Sequence, residues 1–194
     1  HPTPDGISIF FTDITERVRT ANAVRESEER LRLALQAANQ GLYDLDLRTG
    51  DAVVSPEYAR MLGWEPEEFH ETNASWRERL HPEDQASVTR VFEDYLAGRR
   101  SDYRVEFRQR TKDGSWKWVL SRGMVVANDA EGKPLRMIGT HTDISERHQR
   151  EQALRLAATV FETVDEAVAV TDLNNRIISV NPAFTEVTGY RPEE

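Results

Sequence analysis

The sequence predicts an α+β fold in which two strands, several short helices and three further strands follow one another between two long helices. Three observations carry that expectation. Apolar and polar residues alternate strictly in Leu42-Tyr43-Asp44-Leu45-Asp46-Leu47, the pattern of a strand with one buried face. Proline opens and glycine closes two helical segments in the middle, Pro56 to Gly63 and Pro82 to Gly98. Finally, parts of the chain recur at domain spacing, which is the mark of tandem copies of one unit.

The elements follow in order. A helix is expected from about Ile14 to Asn39, because Ala21, Val24, Leu31, Leu35 and Ala38 fall at three- and four-residue steps, or their sum, with Arg and Glu between them. Gly41 stops it, and Glu28 interrupts the seam, so a coiled coil built on it is weak. The first strand turns at Thr49-Gly50 and returns through Ala52-Val53-Val54 as a hairpin. A short helix starts at Pro56; after a polar stretch, a second runs from Pro82 through Val91, Phe92, Tyr95 and Leu96. Three strands finish the unit: Tyr103 to Arg110, Trp116 to Ala127 after an Asp113-Gly114 turn, and Pro134 to Thr142 after a Glu131-Gly132 turn.

The repeat has two parts. Phe11-Thr12-Asp13-Ile14-Thr15-Glu16-Arg17 matches His141-Thr142-Asp143-Ile144-Ser145-Glu146-Arg147 at an offset of 130. At an offset of 126, Leu47 matches Leu173, Val54-Ser55-Pro56 lies opposite Val180-Asn181-Pro182, and Gly63-Trp64-Glu65-Pro66-Glu67-Glu68 matches Gly189-Tyr190-Arg191-Pro192-Glu193-Glu194. The unit is one domain long, whereas solenoid repeats run about 20 to 50 residues. The expected organisation is therefore the last strand of a preceding copy at 1–13, a linker helix at 14–40, a complete domain at 41–143, a second linker helix at 144–164 and the opening of another copy at 165–194. The two partial copies are expected to lack strands their sheets need, so they must be disordered, docked elsewhere or paired with another chain.

Composition narrows the function. Thirty-four acidic against 25 basic residues give a net charge of −9, which opposes contact with nucleic acid or anionic lipid. No run approaches the roughly 20 apolar residues of a membrane span, and His1-Pro2-Thr3-Pro4-Asp5-Gly6 does not read as a signal peptide. The absence of cysteine removes disulfides, thiolate metal sites and any cysteinyl-flavin adduct. A cytoplasmic location is expected, with any membrane anchor of a longer parent outside this chain.

Several segments together resemble the PAS family with its C-terminal PAC motif: Trp76-Arg77-Glu78-Arg79-Leu80-His81-Pro82-Glu83-Asp84, Glu106-Phe107-Arg108, Lys112-Asp113-Gly114-Ser115-Trp116-Lys117-Trp118-Val119, and Gly139-Thr140 with Asp143-Ile144-Ser145-Glu146-Arg147. The resemblance covers residues 28 to 147, and Asp172 through Asn181-Pro182 to Tyr190 is similar to the first third of another such domain. It implies a five-stranded antiparallel sheet with short helices across one face, enclosing a small pocket. Chains with this succession of copies resemble the sensor regions of bacterial diguanylate cyclases and cyclic-di-GMP phosphodiesterases, and secondly of sensor histidine kinases.

The resemblance also places candidate sites. A ligand of unknown identity would sit between sheet and helices, where Tyr43, Leu45, Met61, Trp76, Phe92, Phe107 and Met137 are candidates by position; the same residues also read as ordinary core. The signal-relay positions are Asp13, Thr15, Glu16 and Arg17 at one end and Asp143, Ser145, Glu146 and Arg147 at the other, where Asp143 or Ser145 can cap a helix while Glu146 reaches back. His81 reads as a local hydrogen-bonding residue before Pro82, since no cysteine or closely spaced histidine completes a metal set. Haem is disfavoured, because the helix that carries the axial histidine in haem-binding relatives matches Glu83 to Gly98, which has none. His148 reads as a solvated helix residue. No P-loop, nucleophile elbow, metal-ligand spacing or cyclic-di-GMP enzyme signature is present, so no catalytic residue is expected. A sensory and dimerising module is expected, with homodimers formed through the linker helices; a spacer that dimerises without sensing is the alternative.

Overall fold

A computed structural model describes residues 12–190, together with the backbone of Pro2–Thr3 and Gly6–Ile7. It divides into two units, His1–Asp143 and Ile144–Glu194.

In the first unit, β1 (Pro2–Thr3) and β2 (Gly6–Ile7) pair antiparallel. Residues 8 to 11, where the last strand of a preceding copy is expected, lie outside the described residues. Helix α1 (Thr15–Ala37) starts where the Asp13 carboxylate accepts the Thr15 N–H at 2.8 Å. Ion pairs Glu26–Arg30 and Glu29–Arg32 bridge successive turns. None of its side chains is buried, and Val24 and Leu31 are more than half exposed.

The domain proper comprises β3 (Gln40–Asp46), β4 (Asp51–Val54), α2 (Pro56–Met61), a 3-10 turn (Pro66–Glu68), β5 (Glu71–Thr72), α3 (Asn73–Glu78), α4 (Pro82–Leu96), β6 (Tyr103–Arg110), β7 (Trp116–Asn128) and β8 (Pro134–Asp143). The strands form one antiparallel sheet in the order β5-β4-β3-β8-β7-β6. The sheet thus has six strands where the sequence predicts five. The extra strand, β5, pairs Glu71 with Ala52 and Thr72 with Asp51. A Glu-Thr dipeptide carries no alternation, so only the free edge of β4 makes it a strand. Helix α3 is also unforeseen; it begins in a reciprocal cap, the Thr72 hydroxyl accepting from the Ser75 N–H and the Ser75 hydroxyl from the Thr72 N–H.

Alternation decides the buried face: Tyr43 and Leu45 are buried while Leu42, Asp44 and Asp46 are half-exposed. One cluster joins Tyr43, Leu45 and Met137 of the sheet to Tyr58, Leu62, Phe69 and Phe92. A second joins Phe107 and Val119 to Trp76, Leu80 and Val88.

The second unit comprises α5 (Ser145–Thr163), β9 (Ala169–Thr171), β10 (Ile177–Val180) and α6 (Pro182–Thr188). Here Asn181 is wholly buried and caps α6: its Oδ1 accepts the N–H groups of Val168 (2.8 Å) and Phe184 (3.0 Å), and its Nδ2 donates to the carbonyls of Val164 and Glu166. In the first unit the Ser55 hydroxyl accepts from Leu42 and Tyr58, which stand at the same offset of 126. The sequence match is thus also a match of hydrogen bonds. Residues 191–194, which end the repeat, lie outside the described residues.

Candidate functional site

The inner face of the sheet carries a row that crosses four strands: Tyr43 of β3, Gly139 of β8, Gly123 of β7 and Tyr103 of β6 are successive cross-strand partners. The two glycines leave a trough. A Cβ on either would meet the Tyr43 hydroxyl well inside contact distance, so the Tyr43 ring lies across β8 onto β7 only because both positions lack a side chain. Beside this row runs a second: Gly41, His141, Ser121 and Val105. The Ser121 hydroxyl, fully buried, faces the phenols of Tyr43 and Tyr103 but completes an aligned bond with neither.

Helices and β5 cover these rows. The buried Glu71 carboxylate pairs with Arg79 and accepts from the Tyr58 hydroxyl (3.0 Å), the Ser75 hydroxyl (2.7 Å) and the Thr72 N–H (3.1 Å). Three of these donors meet Oε1 and one, the Tyr58 hydroxyl, meets Oε2. The Arg79 guanidinium lies over the Phe69 ring at 5.1 Å. The His141 ring stacks on Tyr58 at 4.8 Å and meets Tyr43 edge-on at 5.2 Å, with its Nδ1 buried and without a partner.

Between the two layers lies a cavity of about 40 Å³ whose walls include Tyr43, Leu45, Tyr58, Glu71, Trp76, Phe92, Tyr103, Ser121 and His141. That volume takes roughly three water molecules. A haem or a flavin does not fit the chamber as it stands. A groove shares the walls Leu45, Asn73 and Phe92 and runs out past Leu96 and Pro134.

Electrostatically the chamber is neutral. Burial pushes the hydroxyls of Tyr43, Tyr58 and Tyr103 upward, so all three stay protonated. Burial first, and the nearby Arg79 charge second, push the His141 imidazole down to about 3, so it stays uncharged. The unfolded chain binds that proton near 6.5. The stability that depends on neutral His141 is therefore intact above about pH 6.5 and lost as the pH falls towards 3, by about 1.4 kcal/mol per pH unit. Urea titrations between pH 6.5 and 4 should show a shallower loss in His141→Phe than in the parent chain. Parallel slopes would place water at His141.

Of the candidates by position, Tyr43, Leu45, Trp76 and Phe92 line the cavity. Phe107 and Met137, fully buried, stand behind its wall: the Phe107 ring is 5.7 Å from Trp76, and the Met137 methyl packs at Gly123. Met61 ends α2 half-exposed, and its neighbour Leu62 takes the buried place instead. Sequence reasoning missed Tyr58, Glu71, Tyr103, Ser121 and His141. Alternation along β6, β7 and β8 shows which residues share a face with Tyr103, Ser121 and His141, but not which face is inside.

The relay positions are spread over both units. Asp143, at the end of β8, accepts from Lys117 Nζ at 2.8 Å. Ser145 is the first residue of α5, and Ile144 holds the capping position, with no side chain able to bond. Glu146 pairs with Arg150, and Arg147 with Glu151 at 3.8 Å. Asp13 caps Thr15, while Glu16 and Arg17 are exposed. His81 caps α4, its Nδ1 accepting the Glu83 N–H at 3.3 Å.

Residues 51–141 match the model of a family described as PAS fold, and residues 155–194 match one described as PAS domain. The solved structure of a sensory box histidine kinase/response regulator from Burkholderia thailandensis is 34% identical, covers 70% of this chain and is itself covered over 99% of its length, with a TM-score of 0.61. The chain belongs to the PAS family. Among curated relatives of this PAS region, a probable diguanylate cyclase of Escherichia coli is 29% identical over 98% of the chain, and the two-component sensor PprA of Pseudomonas aeruginosa is 27% identical over 77%. The chain spans only 18% and 16% of their respective lengths. It is a PAS sensory region related to those of diguanylate cyclases and histidine kinases. Among the described residues, no helix is long and apolar enough to cross a membrane.

Proposed function

We propose that the chain is a sensory and dimerising region in which a ligand or partner acting on the chamber alters the two flanking helices, α1 and α5, and through them an output domain outside the chain. The chamber carries this reading: it is largely apolar with a few buried polar groups, incompletely filled, and walled in part by β3 and β8, the strands that continue into those helices. Gln40 pairs with Thr142, so the chain enters and leaves the sheet on neighbouring strands. A change in how β3 and β8 pack reaches both helices at once.

The output favoured is a diguanylate cyclase, which the Escherichia coli relative is named as a probable example of, or a cyclic-di-GMP phosphodiesterase. A histidine kinase is the second reading, supported by the likeness to the Burkholderia thailandensis structure. The proposed organisation keeps the complete domain at 41–143, linkers at 14–40 and 144–164, and partial copies at 1–13 and 165–194. The chain itself turns over neither GTP nor cyclic-di-GMP, and acts in the cytoplasm as a homodimer through the exposed stripe of α1. Sedimentation at micromolar concentration should show a dimer; a monomer overturns that part.

The sensory reading is tested by melting the chain against a metabolite library. A ligand that binds only the folded state at 100 times its dissociation constant adds about 2.7 kcal/mol. A library without any stabilising member favours a spacer. The relay is tested by Asp143→Ala in the parent protein. The ion pair to Lys117 is partly exposed, 36% and 18% for the two side chains, so its loss should cost about 1 kcal/mol or less. The melting temperature should barely move while output stops responding to the stimulus. A normal response would remove Asp143 from the relay.

A further inference from the structure

We infer that the chamber takes an uncharged head group that both donates and accepts hydrogen bonds, of the primary-amide kind, on an apolar body that leaves past Phe92 into the groove beside Leu96. The inference rests on the sensory reading and adds the chemistry of what is sensed.

The unpartnered polar atoms define the head group. Ser121 and His141 face each other as cross-strand partners, are 0% and 3% exposed, and leave Oγ and Nδ1 without bonds. Buried polar atoms of native proteins are nearly always paired, by protein, water or ligand. Ser121 is so short a side chain that its hydroxyl is the wall it presents to the cavity. A neutral imidazole offers either a donor or an acceptor at Nδ1, and a hydroxyl offers both. A primary amide complements either state, its carbonyl and NH₂ answering the two groups together. The indole N–H of Trp76, also buried and unpartnered in the same wall, is a further donor.

Charge balance excludes an ion. Glu71, the one carboxylate in the wall, accepts from four donors and its charge is balanced by Arg79. His141 is held neutral by burial. An anion or cation entering here would give up its hydration without meeting an unused counter-charge. The volume of about 40 Å³ suits a head group of roughly three heavy atoms and not the whole of a larger molecule. The groove that shares Leu45, Asn73 and Phe92 supplies the way out: Leu47, Leu96, Ala97 and Pro134 give it an apolar strip, while Arg48, Glu93 and Lys133 also line it.

Three molecules of one shape and different charge test this: butanamide, butanoate and butanamidinium, titrated into the isotope-labelled 194-residue chain while the Ser121 and His141 amide resonances are followed. Butanamide should shift both saturably, and the two ions should not saturate at tenfold higher concentration. Hexanamide should bind tighter by about fourfold per added methylene. Ser121→Ala should raise the butanamide midpoint about tenfold. Leu96→Asn should weaken hexanamide and leave butanamide unchanged, a split that a folding defect does not produce. Equal binding of butanoate or butanamidinium overturns the neutral head group while the sensory reading stands. Absence of saturable shifts with all three overturns the placement of the ligand, and the sensory reading is then decided separately by the library melt.

Discussion

Glu71→Ala should be the most destabilising single change in the domain, at roughly 3 to 5 kcal/mol. The loss exceeds that of an ordinary surface ion pair because the Glu71 and Arg79 side chains are only 4% and 15% exposed. Removing the carboxylate leaves the Arg79 charge in a low dielectric beside Phe69; it also takes the acceptor from the Tyr58 hydroxyl and the shorter of the two acceptors from the Ser75 hydroxyl, which keeps the Thr72 carbonyl. These anchor α2 and the start of α3, so the roof of the chamber loosens together with the ion pair. The double variant Glu71→Met with Arg79→Met provides the control. It removes both charges and fills the space with apolar volume, so it should lie within about 2 kcal/mol of the parent. Urea unfolding of the three proteins measures both effects. A cost below about 1 kcal/mol for Glu71→Ala would show that water reaches Arg79 and that the chamber roof is open.

Gly139→Ala should cost about 3 kcal/mol, the upper end of the range for overpacking. The added methyl would meet the Arg122 carbonyl and the Tyr43 phenol, both well inside van der Waals contact. Neither neighbour yields easily. The Arg122 carbonyl belongs to β7 at the pair Arg122–Thr140, and Tyr43 is fixed in the trough over Gly123. Tyr43→Phe should not rescue the variant, because the backbone carbonyl and the ring itself still collide. Melting temperatures, with the Tyr43 ring resonances as a local reporter, decide the matter. A stable Gly139→Ala protein with an unmoved Tyr43 would mean that β7 and β8 can slide apart at this row, and that the trough does not set the position of the ring.

Much of the architecture was legible because its signals are local. The alternation of Leu42 to Leu47 set the inner face of β3, Tyr103 to Arg110 is found as the strand expected, and Pro56 and Pro82 are the first residues of α2 and α4. Turn residues are equally local: Gly114, at φ +86°, adopts a backbone that L side chains rarely take. Each of these depends on a few neighbouring residues, so the sequence alone determined them, together with the family. The strand β5 and the place of Trp76 in the wall were not legible. Glu71 and Thr72 become a strand only against the edge of β4, and α3 is aimed by that pairing.

The chamber shows the same division. Tyr43, Leu45, Trp76 and Phe92 could be named because large apolar residues on an inward face are expected to enclose whatever lies there. Glu71, Ser121 and His141 could not, because in sequence they resemble solvated polar residues. What buries them is the non-local register: β7 brings Ser121 opposite His141, β8 brings His141 beside Gly41, and β5 swings Glu71 under Tyr58. A side chain's burial is set by elements far away in the chain, and so is the cost of leaving its polar atoms unpaired. Sequence determined that there is a sheet with helices over it; the tertiary structure alone decided that the space between them is mostly apolar, set with a few buried polar groups, neutral and only partly filled.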